Sequence, residues 1–332
     1  MLLRFFKGTG PGVIFIIIIT LLALWISGFL NPGVDIVSHH SAYPMPLYGL
    51  LIKYTASSHY FGVIISLSMV SLMVFLLINF NARDLFINER TFLPAVVYIL
   101  FSGLFPEYQG LNPALPASLF LIIAFRRIMD GYRKQGTAYN FFDAGILISM
   151  GSLFYANLIW FGLLVIIGIA LLRTFNIKEI AISILGLITP YAIVFGVYYI
   201  MGKNLEALLN LIENNLFIRP EGYEIPRLTL VVLIIIGAIT FAGIINLISL
   251  MNTKKIRSRK TFFLLIWGFF ISVGVYIILP SSSVEMLWII SIPASYFLAH
   301  YFIFMRKKIV GEILFSVLFI LVLCVQIWYL KG

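Results

Sequence analysis

Lys254-Lys255-Ile256-Arg257-Ser258-Arg259-Lys260 places five cations within seven residues. An apolar run precedes it at 228–251 and another follows at 261–279. A helix needs about 20 mostly apolar residues to cross the hydrocarbon core of a bilayer. Each run meets that length, so the cations mark a loop between two spans. Cytoplasmic loops of membrane proteins carry an excess of Lys and Arg. The same reading extends outward along the chain. Eleven apolar segments stand at 13–30, 59–80, 92–105, 114–128, 141–153, 156–173, 179–201, 228–251, 261–279, 284–304 and 309–330. With the N-terminus cytoplasmic, the inner loops hold Arg4 and Lys7; Arg83 and Arg90; Arg126, Arg127, Arg133 and Lys134; Arg173 and Lys178; the 254–260 cluster; and Arg306, Lys307 and Lys308. These are 18 of the 23 basic residues. The outer side keeps Lys53, Lys203, Arg219, Arg227 and Lys331. The expected fold is an all-α polytopic transmembrane bundle of about 11 spans in a bacterial inner membrane, with an external C-terminus.

Composition agrees. Hydrophobic residues make up 61% of the chain and charged residues 11%, against roughly 45–50% and about 25% in soluble domains. The net charge of +10 is accounted for by the inner-loop bias, so membrane lipid is the expected partner and nucleic acid is not. Cys324 is the single cysteine, which excludes an intramolecular disulfide and a cysteine-based metal site. No metal-ligand spacing and no glycine-rich nucleotide loop is present, and the sequence specifies no cofactor. The residues after the first segment, Asn31-Pro32-Gly33-Val34, lack a small-x-small cleavage pattern, so that segment reads as an uncleaved anchor.

Segments three, four and five are shorter than a full crossing. They are expected to be tilted, partly re-entrant or shielded by neighbours, around an internal cavity. Asn112-Pro113 reads as a helix start, Asn140 precedes another, and Asn176 with Glu179 resembles a capping box. Pro190 and Pro293 are expected to kink their helices. Two outer loops, 31–58 and 202–227, contain amphipathic stretches. Leu47, Leu50, Leu51 and Tyr54 share one face of the first; Leu205, Leu208, Leu209, Ile212 and Leu216 form a stripe on the second. Both suit a membrane surface.

The order of parts carries a resemblance. One span leads to a long outer loop with an acid and a surface helix. A pair of short spans follows, joined by Pro106-Glu107-Tyr108-Gln109-Gly110-Leu111-Asn112-Pro113. Then come Phe142-Asp143-Ala144-Gly145, Ser152-Leu153-Phe154-Tyr155 and Thr189-Pro190-Tyr191. This organisation resembles the N-terminal module of the GT-C superfamily of polytopic glycosyltransferases, over roughly residues 1–200. The Phe-Asp-Ala-Gly and Ser-Leu-Phe-Tyr runs are similar to an uncharacterised family of bacterial multi-pass inner-membrane proteins. The resemblance implies a GT-C-like module at 1–201, followed at 202–332 by an outer amphipathic loop and four further helices. It also implies a polyprenyl-phosphate-linked sugar as substrate at the outer face. GT-C enzymes carry the catalytic acid in the first outer loop, often as a pair; this chain has a single acid there, Asp35. A second acid often lies between the short spans, where Glu107 stands.

Asp35 is therefore the candidate general base, since a positioned carboxylate can take the proton of an acceptor hydroxyl, and Glu107 is the second catalytic candidate, placed to orient the acceptor or help bind a divalent metal. Each also suits an ordinary loop acid, since Asp favours turns and Glu favours surfaces. His39, His40 and Tyr43 are candidate substrate contacts in the first outer loop, although adjacent residues on an extended segment point apart. Arg219 and Arg227 could clamp a lipid diphosphate by bidentate contacts, or pair with Glu221 or Glu224. Asp143 reads as a helix N-terminal charge, Glu312 as a partner of Lys308, and His300 as a satisfied interfacial histidine. Asn157, Thr189, Asn246 and Gln326 suit hydrogen bonds between helices. No ionisable group stands at the centre of a span, which counts against an ion-coupled carrier.

Three functions fit these residues: a GT-C-like transferase, a non-enzymatic scaffold or accessory subunit for envelope assembly, and a transporter or flippase. The topology has its own test. A reporter fused at the C-terminus is expected to read as external, and a cytoplasmic readout would break the eleven-span arrangement.

Overall fold

The computed structural model describes residues 2–30, 43–55, 59–132, 138–172, 177–219 and 225–331. Among these residues every regular element is helical. The elements are α1 (Leu2–Phe6), α2 (Pro11–Leu24), α3 (Ile26–Leu30), α4 (Pro46–Thr55), α5 (His59–Asp84), α6 (Leu93–Ser102), α7 (Ala114–Asp130), α8 (Ala138–Ser152), α9 (Gly162–Leu172), α10 (Ile177–Ile200), α11 (Leu205–Phe217), α12 (Arg227–Ser249), α13 (Ile256–Ile278), α14 (Met286–Phe304) and α15 (Lys308–Lys331). Short 3-10 turns lie at Pro106–Tyr108, Ala156–Phe161 and Met251–Thr253.

Among the described residues six helices are long and apolar enough to cross a membrane: α5, α10, α12, α13, α14 and α15. The other apolar segments are shorter. The expected first span is two helices, because the chain breaks at Trp25, whose N–H reaches back to Leu21 O and Leu22 O. The Trp25 indole is fully buried and donates to Ser102 Oγ at 3.1 Å. Helix α6 has ten residues, a length of about 15 Å where the hydrocarbon core is about 30 Å thick. Nine of those ten residues are buried, so the short segment is shielded by its neighbours. Helix α14 is the other central element: 78% of its spanning stretch is buried, against 17% for α10. Helix α14 packs on α6, α7, α12 and α13, joined by aromatic contacts such as Tyr296 with Phe80 and Phe86. The Tyr296 hydroxyl donates to Leu77 O at 2.8 Å, which satisfies a polar group that apolar surroundings would otherwise penalise.

The bundle has two chemically different ends. At the basic end Arg83 pairs with Asp130 at 3.3 Å, Lys7 donates to Ile303 O at 3.2 Å, and Lys260 donates to Leu171 O. Glu312 accepts from Leu3 N at 3.1 Å. The opposite end gathers α3, α4, the 106–112 loop, the 153–157 turn, α11, the 281–285 loop and the end of α15, joined by hydrogen bonds described below. The alternate-loop charge pattern of the sequence thus becomes a difference between two ends.

Some local expectations change. Helix α8 begins at Ala138 rather than after Asn140, so Asp143 sits beyond the first turn and lies 3.7 Å from Arg127. Asn112 does cap: its Oδ1 accepts from Ala114 N at 2.7 Å. Asn176 lies outside the described residues. On α4 the buried side chains are Tyr48 and Thr55, while Leu50 and Tyr54 are exposed. On α11 Leu208 and Asn215 are buried and Leu209 is exposed. In both helices part of the stripe packs inward, with Leu51, Ile212 and Leu216 against Met45, Tyr48 and Ala156, while Leu50, Tyr54 and Leu209 face outward.

Helices α8 and α10 run parallel and touch backbone to backbone. A Cβ on Gly186 would lie 2.4 Å from Phe142 O, and one on Gly145 would lie 2.6 Å from Ser183 O. Ser152 Oγ and the Tyr191 hydroxyl meet at 2.8 Å further along. Small residues allow this approach, which is how helices associate inside lipid. Gly186→Ala should therefore destabilise the bundle by about 1–3 kcal/mol through overpacking. Gly196, which has nothing within 4 Å of its Cβ position, should tolerate Ala or gain from its higher helix propensity. Thermal midpoints of the two purified variants check this.

Candidate functional site

Residues 106–112 join two buried helices and are pinned from four directions. Gln109 is fully buried. Its Oε1 accepts from Gly28 N at 3.2 Å and lies 2.7 Å from Ser27 Oγ, while Nε2 donates to Leu24 O at 2.7 Å. Gly28 permits this, because its Cβ position is 3.3 Å from Gln109 Cβ. Ser27 Oγ also lies 2.7 Å from Gln326 Oε1, and Gln326 Nε2 donates to Gly103 O at 2.5 Å. One hydroxyl hydrogen serves both oxygens in turn, since Ser has a single O–H. Tyr48 donates to Leu111 O at 3.1 Å and Ser66 to Gly110 O at 2.9 Å. The loop is thereby tied to α2, α3, α4 and α5, and through Ser27 to α15.

Glu107 is carried on this anchored loop. It is half-buried and has no hydrogen-bond or ion-pair partner among the described residues. Burial pushes its carboxyl above the ordinary carboxylate range, because the charged form loses hydration that nothing replaces. Tyr108 beside it is buried, and its hydroxyl is pushed up by burial and then by the charges of Glu107 and Glu285. Glu285 occupies the position before α14 and is 2% exposed. A carboxylate there is favoured by the helix N-terminus, and Ser283 Oγ donates to it at 3.4 Å. Tyr155, fully buried, has its hydroxyl raised by burial and by the Glu285 charge. Asn157 Nδ2 reaches the Tyr155 hydroxyl at 3.5 Å. Ser281 Oγ lies 3.1 Å from Asn157 Oδ1 and 2.6 Å from Leu216 O, which joins α11 to the same end.

Not every expected site residue joins this cluster. Asp35, His39 and His40 lie outside the described residues. Tyr43 is half exposed and its carbonyl accepts from Asn215 Nδ2 at 2.9 Å, which seats it against α11. Arg219 and Arg227 flank 220–224, and neither makes an ion pair among the described residues. Among the described residues no group of three His, Cys, Asp or Glu could hold a metal ion. Gln326 makes contacts between helices as the sequence suggests, whereas Asn157 joins the 156–161 turn to the loop at Ser281. Thr189 instead bonds Leu185 O within its own helix, and Asn246 Oδ1 is buried without a partner among the described residues. The same is true of both His300 nitrogens, which corrects the expectation of a satisfied histidine.

Ser27, Gln109 and Glu285 are the members of the cluster that sequence reasoning missed. Each is a single polar residue next to an apolar run, and only the placement of a partner distant in sequence gives it a role. Chemically, the cluster offers a carboxylate of raised basicity, without a partner among the described residues, beside the buried phenol of Tyr108. Such a carboxylate can accept a proton from a bound hydroxyl.

No curated protein and no solved structure matches the chain. Residues 37–331 match the family of unknown function DUF6427. The match runs from the first long loop through the last helix, and the chain belongs to that family.

Proposed function

We propose that this integral membrane protein acts at its less basic end on a lipid-linked substrate, with Glu107 as the general base. In this reading the basic end is cytoplasmic and the short segments complete eleven crossings inside the shield of the longer helices. Residues 1–201 then serve as a GT-C-like module and 202–332 as its partner. The reaction is glycosyl transfer from a polyprenyl-phosphate-linked sugar. The acceptor hydroxyl gives its proton to Glu107, its oxygen bonds the anomeric carbon, and the polyprenyl phosphate leaves with the bonding electron pair. Arg219 and Arg227 suit the phosphate, and Asp35, His39, His40 and Tyr43 suit the sugar or acceptor from the first outer loop. Glu107 carries this reading: a carboxylate with no partner among the described residues, on a loop that four neighbouring elements hold in place.

One observation favours a second reading. Gln109 and Gln326 both direct their amides to neighbouring helices, as they would in a rigid accessory subunit for envelope assembly with no reaction of its own.

Glu107→Gln separates the two. In proteoliposomes supplied with polyprenyl-phosphate-linked sugars and outer-face acceptors, the variant should lose about 10²–10⁴-fold in turnover. Unchanged turnover removes Glu107 as base, and absence of transfer by the wild type favours the accessory reading. Because the folded carboxyl titrates above its ordinary value of 4.5, the acidic limb of the turnover profile should lie above pH 4.5. Stability carries the opposite sign. The protonated form is the one folding favours, so this contribution is present below the ordinary value and is lost as pH rises through the folded one. Glu107→Gln should flatten that part of the stability profile.

A further inference from the structure

The basic end holds a second group of polar atoms that the proposed reaction does not use. His300, near the end of α14, is fully buried, and neither ring nitrogen has a hydrogen-bond partner among the described residues. Its ring packs against Phe304 at 4.6 Å and Phe262 at 5.3 Å. Lys254 approaches from the turn between α12 and α13. Its Nζ lies 4.9 Å from the Phe304 ring and 5.1 Å from the Phe262 ring. Lys254 is 8% exposed, so both side chains are enclosed against the same two rings. Lys254 makes no salt bridge among the described residues, and no carboxylate offsets its burial.

The charge balance around this pair is one-sided. Lys255, Arg257, Arg259, Arg306, Lys307 and Lys308 surround it in sequence. Of the acids of this end, Asp130 is engaged with Arg83, Asp143 with Arg127 and Glu312 with Leu3 N. Asp84, Glu89 and Glu179 stand there as well, and among the described residues none of these acids forms a salt bridge with Lys254. A buried ammonium and a buried imidazole N–H are both donors, and both are costly to leave unmade in a dry site. Two aromatic faces stabilise the ammonium in part but offer no acceptor to the imidazole. An anion with several acceptor oxygens would satisfy both donors together.

We propose that Lys254 and His300 form a binding site for a phosphate group at the basic end of the bundle. One phosphate oxygen accepts from Lys254 Nζ and another from the imidazole N–H, with Phe262 and Phe304 as the apolar walls. Two sources supply this chemistry: the headgroup of an anionic phospholipid, which basic loops attract at the membrane surface, and a soluble phosphate.

The test uses the full chain in nanodiscs of phosphatidylcholine, with inorganic phosphate titrated in one arm and phosphatidylglycerol replacing part of the lipid in the other. The thermal midpoint is the readout. The wild type should be stabilised in at least one arm: by phosphatidylglycerol alone if a headgroup is the ligand, by inorganic phosphate as well if a free phosphate suffices. Lys254→Met, which keeps the stem, and His300→Phe, which keeps the ring, should each weaken binding about tenfold, the effect of one charge-assisted hydrogen bond. Lys255→Met removes an equal charge next door at an exposed position and should bind as the wild type. If Lys254→Met does not fold, His300→Phe carries the comparison. No stabilisation in either arm, or equal weakening by Lys255→Met, overturns the proposal.

Discussion

Gln109 directs both atoms of its amide at the first membrane segment, accepting from Gly28 N and donating to Leu24 O. Inside an apolar bundle an unpaired amide is costly, so the position of this side chain fixes everything attached to it. The break at Trp25 frees the backbone carbonyl and N–H that the amide requires. Ser27 extends the contact to Gln326 on α15, 299 residues away in sequence. Without this joint the 106–112 loop would have no fixed relation to the first and last helices. The individual bonds need not be strong, because hydrogen bonds between membrane helices average about 0.6 kcal/mol. Their importance lies in geometry.

Glu107 takes its character from that geometry. A glutamate on a mobile surface loop would be fully hydrated and ordinary. On a loop tied down by hydrogen bonds, it loses water and gains no partner among the described residues, and its basicity rises. Glu285 reaches the same region by another route, placed before α14 where the helix N-terminus favours a negative charge. The two carboxylates meet in their effect on Tyr108. The less basic end is therefore a polar centre assembled from loops, on a scaffold whose central helices, α6 and α14, are almost wholly enclosed.

The basic end follows a different logic. Its cations accumulate because orientation in a bilayer favours them there, and most reach solvent or lipid. Lys254 and His300 are exceptions, drawn inward among Phe262 and Phe304 by the packing of α13 on α14. Positive charge distributed by topology thus produces one enclosed cationic position as a by-product of helix packing.

Charge spacing and apolar length decided the membrane class and the division of the chain into alternating segments, because both follow from the bilayer as a solvent and need no partner. The cap at Asn112 and the contacts of Gln326 between helices were readable for the same local reasons. Segment depth was not. Leu93–Ser102 reads as a deficient span in sequence, and only its enclosure by neighbouring helices shows why ten residues suffice. Gln109, Ser27 and Glu285 look like ordinary polar residues until packing brings their partners to them. His300 and Lys254 are separated by the whole of α13 and come together only when α12, α13 and α14 pack. Burial and adjacency are properties of the assembled bundle, and they decide which polar side chains are structural, which are reactive and which are left to bind something else.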